Sequence, residues 1–338
     1  MSLALHIHFP WQEGPHGGAN QFLKALAAEL TRQGAHTPDP AAAAVILFNS
    51  HHQCAEILAL RRKFPDKIYI HRVDGPMRLY NRPDDPRDLV VSRVNRLAAD
   101  ATVFQSAWSQ AANHDLGWPP GGVERVIVNA PDPAIFHPPA EPREPGRPVR
   151  LIAASWSANY KKGFGVYEKL DRLLDFSRYS LTFVGNSPVK FANIVHLPPC
   201  PSPELAELLR GADVFLTAAQ KEPCSNALIE ALHSGLPALA LADGGNPELV
   251  GRAGFTFSKA TEIPELLERI LADYPGFGTA CRLPSLAQVA GEYLDLARDL
   301  VAARAAGRLA GKRPGWWAVW RERRWPGGRP GGWFGRRG

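Results

Sequence analysis

Two patterns of apolar positions alternate along this chain. Short, nearly continuous apolar runs predict strands at Leu3–Phe9, Ala43–Phe48, Lys67–His71, Ala101–Gln105 and Arg125–Asn129. Between them, stretches with apolar positions at helical spacing predict helices at Ala19–Gln33, Gln53–Phe64, Pro86–Ala98 and Ala107–Asp115. In the first helix Phe22, Leu23, Leu26, Ala27 and Leu30 form one stripe, and Gly34 ends it. The alternation breaks at Pro138–Pro148, a stretch with five prolines and several charges, which predicts a hinge. It then restarts. Strands are expected at Val149–Ala154, Leu181–Gly185, Asn193–Leu197, Asp213–Thr217 and Pro237–Leu241, and helices at Gly165–Leu174, Pro203–Arg210 and Ser225–His233.

Strand–helix alternation of this kind favours a parallel sheet covered by helices. The expected fold class is α/β, with two doubly wound, Rossmann-like domains facing across a cleft. The expected boundaries are 1–138 for an acceptor-side domain and 149–284 for a nucleotide-sugar-binding domain. A C-terminal helix follows at 285–306, then a basic, Trp-rich tail at 307–338. Open sheets of this class bind ligands beyond the carboxyl ends of their strands, so residues just after strands are the candidates.

Charge changes the picture only at the end of the chain. The net charge is +6, but residues 301–338 hold ten Lys plus Arg and one Glu, a net of +9, which leaves −3 for the rest. The body therefore gives no basic footprint for nucleic acid. Cys54, Cys200, Cys224 and Cys281 lack metal-ligand spacing and are expected to be free thiols. No signal-peptide pattern opens the sequence, and no apolar run approaches the roughly 20 residues that span a bilayer. A cytoplasmic location is expected.

The candidate chemistry concentrates between Asp213 and Leu249. Glu222 lies in a loop after a strand, and Glu230 lies eight positions on, inside the next helix. One carboxylate can accept bonds from sugar hydroxyls while the other holds a ribose diol, since each oxygen pair accepts hydroxyl hydrogens in a fixed geometry. The helix start at Ser225-Asn226 offers unpaired N–H groups to a phosphate.

The string Glu222-Pro223-Cys224-Ser225-Asn226-Ala227-Leu228-Ile229-Glu230, followed by Ser234-Gly235-Leu236-Pro237, resembles the Glu-x(7)-Glu signature of retaining GT-B glycosyltransferases. The likeness is to glycosyltransferase family 4, also called group 1. Gly244-Gly245-Asn246-Pro247-Glu248 resembles the glycine loop that follows in that family, and Gly17-Gly18-Ala19-Asn20 its N-terminal donor-side loop. Tyr160-Lys161-Lys162-Gly163-Phe164 resembles its Lys-Gly segment, whose lysine meets the donor diphosphate. The family usually carries an arginine shortly before that lysine. Ser155–Asn159 replaces it here, and Lys161 is the candidate for the second phosphate contact. Arg72-Val73-Asp74-Gly75 resembles an acceptor-side turn, and Phe104-Gln105-Ser106 and Asn129-Ala130-Pro131-Asp132 also fall where the family has similar segments.

The resemblance implies sugar transfer with retention from a nucleotide-sugar to a glycan or lipid-linked acceptor, as in polysaccharide biosynthesis. It places Glu222, His71 and Asp74 in catalytic roles. The donor falls to Gly17, Gly18, Lys161, Lys162, Gly185, Asn186, Ser225, Asn226, Glu230, Gly244 and Gly245. Other readings stay open: His71 is packed at its strand end or functional, Asp74 shapes the turn or serves the acceptor, and Asn49-Ser50-His51-His52 follows a strand without making a metal site. No metal is expected, because no Asp-x-Asp pair closes a strand, and no cofactor, because the nucleotide-sugar is a substrate. An epimerase of the same fold and a non-catalytic nucleotide-sugar or glycan binder are alternatives. A nicotinamide enzyme is disfavoured, since no Gly-x-Gly-x-x-Gly follows the first strand.

The tail leaves three readings. Trp316, Trp317, Trp320, Trp325 and Trp333 are interleaved with arginines. The segment is a disordered appendage with at most a short helix at 316–324, or an interfacial anchor to an anionic membrane, which would place the protein peripherally at the inner face. Nucleic-acid binding is the least favoured partner.

Overall fold

The computed structural model describes residues 3–14, 17–118, 122–141, 145–146, 148–278 and 280–324. Along the chain, β1 (Leu5–His8), α1 (Gly18–Arg32), β2 (Val45–Asn49), α2 (Cys54–Lys63) and β3 (Ile68–Val73) come first. They are followed by α3 (Met77–Tyr80), α4 (Arg87–Ala98), β4 (Ala101–Phe104), α5 (Ala107–Asp115) and β5 (Val123–Val126). The second half runs β6 (Val149–Ser155), α6 (Phe164–Leu173), β7 (Tyr179–Gly185), β8 (Val195–Leu197), α7 (Ser202–Gly211) and β9 (Val214–Thr217). It continues with α8 (Asn226–His233), β10 (Ala238–Leu241), α9 (Asn246–Val250), β11 (Gly254–Phe257), α10 (Ile263–Ala272) and α11 (Tyr274–Gly278). Two more helices, α12 (Leu286–Ala305) and α13 (Trp316–Arg323), complete the described chain.

The elements form two parallel sheets flanked by helices, as the alternation predicts. One has five strands in the order β1-β2-β3-β4-β5, with a one-residue parallel bridge from Leu5 to His36 on the outer side of β1. The other has six, in the order β11-β10-β9-β6-β7-β8. Each sheet reverses its winding direction once. In the first the reversal falls at β1, flanked by the His36 bridge and β2. In the second it falls between β6 and β9, which pair Leu151 with Val214. Ligands of open α/β sheets bind beyond strand ends at such reversals.

The chain separates into two compact units. One contains Met1–Trp11, Leu26–Val128 and Ala287–Gly338; the other contains Gln12–Ala25 and Asn129–Leu286. This partition differs from the expected boundaries in two places and assigns to a unit the C-terminal helices, which the expectation gave to neither domain; each has a physical cause. Asn129–Pro138 belongs to the second unit, where Asn129 Nδ2 donates to Asn226 Oδ1 (2.7 Å) and Arg210 Nη1 donates to Ile135 O (2.9 Å). Gln12–Ala25 joins the same unit, with Gly17 against Trp156 and Gly18 against Asn226. The C-terminal helices return to the first unit, where Arg304 reaches the buried Asp100 carboxylate at 2.8 Å.

The tail is the clearest departure. The tail was expected to be disordered with at most a short helix at 316–324; its described part, residues 307–324, forms that helix as α13 and is packed down rather than loose. Here α13 packs on α2, burying Val319 and Glu322. Arg93 donates to the Glu322 carboxylate at 2.7 Å, and Arg62 to Pro314 O at 2.6 Å. Trp325, Trp333 and the last arginines lie outside the described residues.

The core of the second unit gathers Leu151, Phe164, Leu170, Phe183, Leu216 and Ile263 with their neighbours. The first has its own around Ile46, Phe48, Ile57, Leu58, Tyr69 and Val94. Each such aliphatic or aromatic side chain, fully buried, contributes roughly 1.5–3 kcal/mol of transfer free energy. These cores hold the strand ends, and so the loops that follow them, in fixed positions.

Candidate active site

At the reversal of the six-stranded sheet, the loop after β6 meets the loop after β9. Gly163 ends a turn of 3-10 helix over Tyr160–Lys162 and adopts φ +100°; a Cβ there would collide with Ala218. Only glycine permits that approach. The two loops are further joined by the Gln220 N–H donating to Lys161 O at 2.8 Å. The result is a direct ion pair between the Lys162 ammonium and the Glu222 carboxylate, both largely shielded from solvent. Sixty residues of sequence separate them, and both were expected at the site.

A third loop, after β10, grips the backbone of Glu222. The Gly245 N–H donates to Glu222 O at 2.8 Å. Gly244 adopts φ +64°, and a Cβ there would collide with the same carbonyl. Asn246, fully buried, donates through Nδ2 to Ala219 O (3.0 Å) and Leu241 O (3.2 Å). Lys221, in the left-handed region at φ 52°, pairs with Asp243 at 2.9 Å. A strained backbone next to Glu222 is thus held by neighbours on both sides. Lys221 and Asp243 were not singled out from the sequence, and Asn246 only as part of the glycine-loop string; their roles depend on which loops become neighbours. Gly244→Ala is expected to lower stability by about 1–3 kcal/mol, through the unfavourable φ and the collision. Urea denaturation measures this, and an unchanged midpoint would mean that the loop is not clamped.

The start of α8 lies on the same loop. Ser225 caps the helix, its Oγ accepting from the Leu228 N–H at 3.3 Å, and Asn226 follows. A Cβ on Gly18 would collide with the Asn226 amide, so the glycine allows α1 to begin against α8. Gly185 and Asn186 close the end of β7 onto the β6 loop. Gly185 (φ +131°) abuts Ser155 O, and Asn186 Nδ2 donates to Trp156 O at 2.6 Å. Both therefore shape the loop that leads to Lys161 and Lys162.

Glu230 sits one turn into α8. Its side chain keeps partial solvent contact yet is closely surrounded by protein. No other described residue bonds to its carboxylate. Desolvation alone raises its pKa to about 8. A buried acid without a partner is a candidate ligand contact.

The first unit holds the remaining candidates. His71 was expected to be catalytic; the structure packs it into the core instead. It is fully buried and stacked on Phe48 with ring centroids 4.2 Å apart. Asn95 Nδ2 donates to Nδ1 (3.1 Å), so Nε2 carries the hydrogen and donates to Ser50 O (2.9 Å). Burial pushes its pKa down to about 4. With both nitrogens engaged and no solvent contact, His71 is a structural residue. Asp74 remains partly accessible. It accepts from Arg72 Nη1 at 3.3 Å and from Gln105 Nε2. After β2, His51 and His52 stack at 4.5 Å, and His52 meets Phe9 edge-on. Burial first, then the neighbouring His52, brings the His51 pKa down to about 3. Among the described residues no group of three His, Cys, Asp or Glu side chains could hold a metal ion. No described helix is long and apolar enough to cross a membrane.

Comparison with known proteins adds a family-model match over part of the chain and a fold. Residues 148–273 match the family model described as "Glycosyl transferases group 1", the segment that holds Lys162, Glu222, Glu230 and Gly244-Gly245. No curated protein matches the chain in sequence. Among solved structures, sucrose-phosphate synthase from Thermosynechococcus elongatus superposes with a TM-score of 0.69 at 17% identity, over 90% of this chain and 100% of that one. AviGT4, a glycosyltransferase involved in avilamycin A biosynthesis, gives 0.61 at 14%, over 89% and 98%. Anabaena HepE in complex with UDP-glucose gives 0.60 at 13%, over 91% and 100%. The fold is that of the GT-B glycosyltransferases.

Proposed function

We propose that this protein transfers a sugar, with retention and without a metal ion, from a nucleotide-sugar to a glycan or lipid-linked acceptor. The Lys162–Glu222 pair at the sheet reversal carries this reading. A departing nucleoside diphosphate needs positive charge placed before the reaction, since preorganised electrostatics is usually the largest catalytic contribution. Lys162 supplies it, with the N–H groups at the start of α8. When a diphosphate takes the ammonium, Glu222 is released from its ion pair and can accept hydrogen bonds from sugar hydroxyls. Glu230 then holds the ribose diol, and Asp74 serves the acceptor side.

The UDP-glucose in the Anabaena HepE structure makes uridine diphosphate sugars the first to test. A thermal-shift panel of UDP-, GDP-, ADP- and dTDP-sugars should single out one base. A ligand at a hundred times its dissociation constant adds about 2.7 kcal/mol. A transfer assay with that donor should run undiminished in EDTA. A strict requirement for Mg²⁺ or Mn²⁺ would overturn the metal-free mechanism, and turnover of donor without any acceptor would favour an epimerase.

Glu230 gives this reading a pH signature. The free acid titrates near 8, so it is mostly protonated at pH 7. Hydroxyl hydrogen bonds favour the carboxylate and lower that pKa, so donor binding at pH 7 should release a proton. Affinity should fall by up to about tenfold per unit as pH drops below 8. Calorimetry in buffers of different ionisation enthalpy reads the proton release, which Glu230→Gln should abolish. Equal release from wild type and Glu230→Gln would remove Glu230 from the donor site.

A further inference from the structure

The described part of the tail folds with its amphipathic sense inverted. Along α13, Val319 and the acidic Glu322 face inward, while Trp316, Trp317 and Trp320 face solvent at 57%, 70% and 39% exposure. A helix that served only to cover α2 would turn its tryptophans in and its acid out. Here ion pairs to Glu322 from Arg93 (2.7 Å) and Arg321 (3.4 Å) fix the opposite orientation. The three indoles form one exposed ridge, with centroids 5.2 Å apart for Trp316–Trp317 and 5.4 Å for Trp317–Trp320. An aromatic patch of this kind marks an interaction site.

Charge identifies the partner. Arg321 and Arg323 are exposed on the same helix and Arg324 caps its C-terminus, with the Arg324 guanidinium 4.6 Å from the centre of the Trp320 ring. A recess of ≈ 200 Å³ opens beside the ridge, lined by Ala59, Arg62, Trp316, Val319, Trp320 and Arg323. A larger one, ≈ 360 Å³, adjoins it through Ala59 and Arg323 and adds Lys63 and a single acid, Glu56. The surface thus places indoles, which favour the boundary between headgroup and acyl chain, among cations that match an anionic leaflet. A second copy of the chain would bring the same positive face against this one and be repelled. Single-stranded nucleic acid stacks its bases on open aromatic faces, whereas here the Arg324 guanidinium takes one face of Trp320 and the neighbouring rings pack edge to face rather than in a parallel stack.

We infer that the α13 face, Trp316, Trp317 and Trp320 with Arg62, Arg323 and Arg324, docks the protein on an anionic phospholipid bilayer. The docking does not depend on the proposed sugar transfer, so it can be tested without donor or acceptor.

The test uses the full chain and vesicles of mixed phosphatidylcholine and phosphatidylglycerol, with phosphatidylcholine alone as reference. The protein should sediment with the mixed vesicles at low salt, be released as salt is raised, and shift its tryptophan emission to shorter wavelength on binding. Removing two cations in Arg323→Ala/Arg324→Ala should weaken partitioning about 25-fold, fivefold for each arginine. Trp317→Ala should also weaken it and reduce the emission shift. All three side chains in these variants are exposed, so unchanged thermal unfolding in solution will show that the fold is intact. Four results would overturn the proposal: no binding to the mixed vesicles, equal partitioning of wild type and variants, a concentration-dependent dimer lost in Trp317→Ala, or binding of single-stranded oligonucleotide in preference to vesicles.

Discussion

Lys162→Ala should lower the rate of sugar transfer by about 100- to 1,000-fold while leaving the protein folded. The lysine stands on a glycine-ended turn at the sheet reversal, and its ammonium is paired with Glu222. In the proposed reaction its charge meets the diphosphate as negative charge grows there. The loss should therefore appear mainly in kcat, because a contact that strengthens in the transition state affects turnover more than binding. Glu222→Gln provides the complementary result. It removes the carboxylate that competes with phosphate for Lys162, so nucleoside diphosphate should bind at least as tightly as to wild type, while turnover falls. Steady-state kinetics and diphosphate titrations of both variants decide the matter. Wild-type turnover in Lys162→Ala would remove the pair from the mechanism.

Much of this arrangement was legible in the sequence, for reasons that differ by element. Parallel strands buried on both faces appear as unbroken apolar runs, so β2 (VILFN) and β9 (VFLT) stand out. β11 (GFTF) is a short edge strand, half-exposed, and gives almost no run. α10 carries its signal in Ile263, Leu266, Leu267 and Ile270, which are buried at helical spacing, although no helix is expected there from the sequence. In the site, Lys162, Glu222 and the Gly244-Gly245 loop were readable because each follows a strand within a recognisable string. Their neighbours Lys221 and Asp243 act through a contact between loops that no local string encodes. His71 is a residue whose two readings, packed or functional, the sequence leaves open. A histidine at a strand end suggested chemistry, but its environment is set by Phe48, Asn95 and Ser50, which lie in other elements. The tail misled because Gly, Pro and Arg dominate its composition, whereas α13 is held by one apolar side chain and one buried acid.

The largest loss of stability is expected from Asp100→Ala. This side chain is fully buried just before β4, and its two oxygens serve three donors. Oδ1 accepts from Arg61 at 2.9 Å and from Arg304 at 2.8 Å, and Oδ2 from the Tyr69 N–H at 2.9 Å. Arg61, from the last turn of α2, is itself fully buried, with its guanidinium 4.6 Å from the Tyr69 ring centre. Burial pulls the Arg61 pKa below its ordinary value, the mark of a cation that needs its counter-ion. Arg304 comes from the last turn of α12 and links the C-terminal return of the chain to the first unit. Removing Asp100 leaves two cations facing each other without an anion, and one of them has no route to water. Breaking a buried pair in this way costs about 3–5 kcal/mol. Arg304→Ala should cost less, because Arg61 still neutralises the aspartate and Arg304 keeps partial contact with solvent. The expected order of stability is wild type, then Arg304→Ala, then Asp100→Ala. Protease should cut ahead of α13 more readily in both variants, since α12 loses its anchor. Urea denaturation gives the order directly. If Arg304→Ala proves as damaging as Asp100→Ala, the buried charge of Arg61 is not what makes Asp100 indispensable, and α12 docking alone would account for the loss.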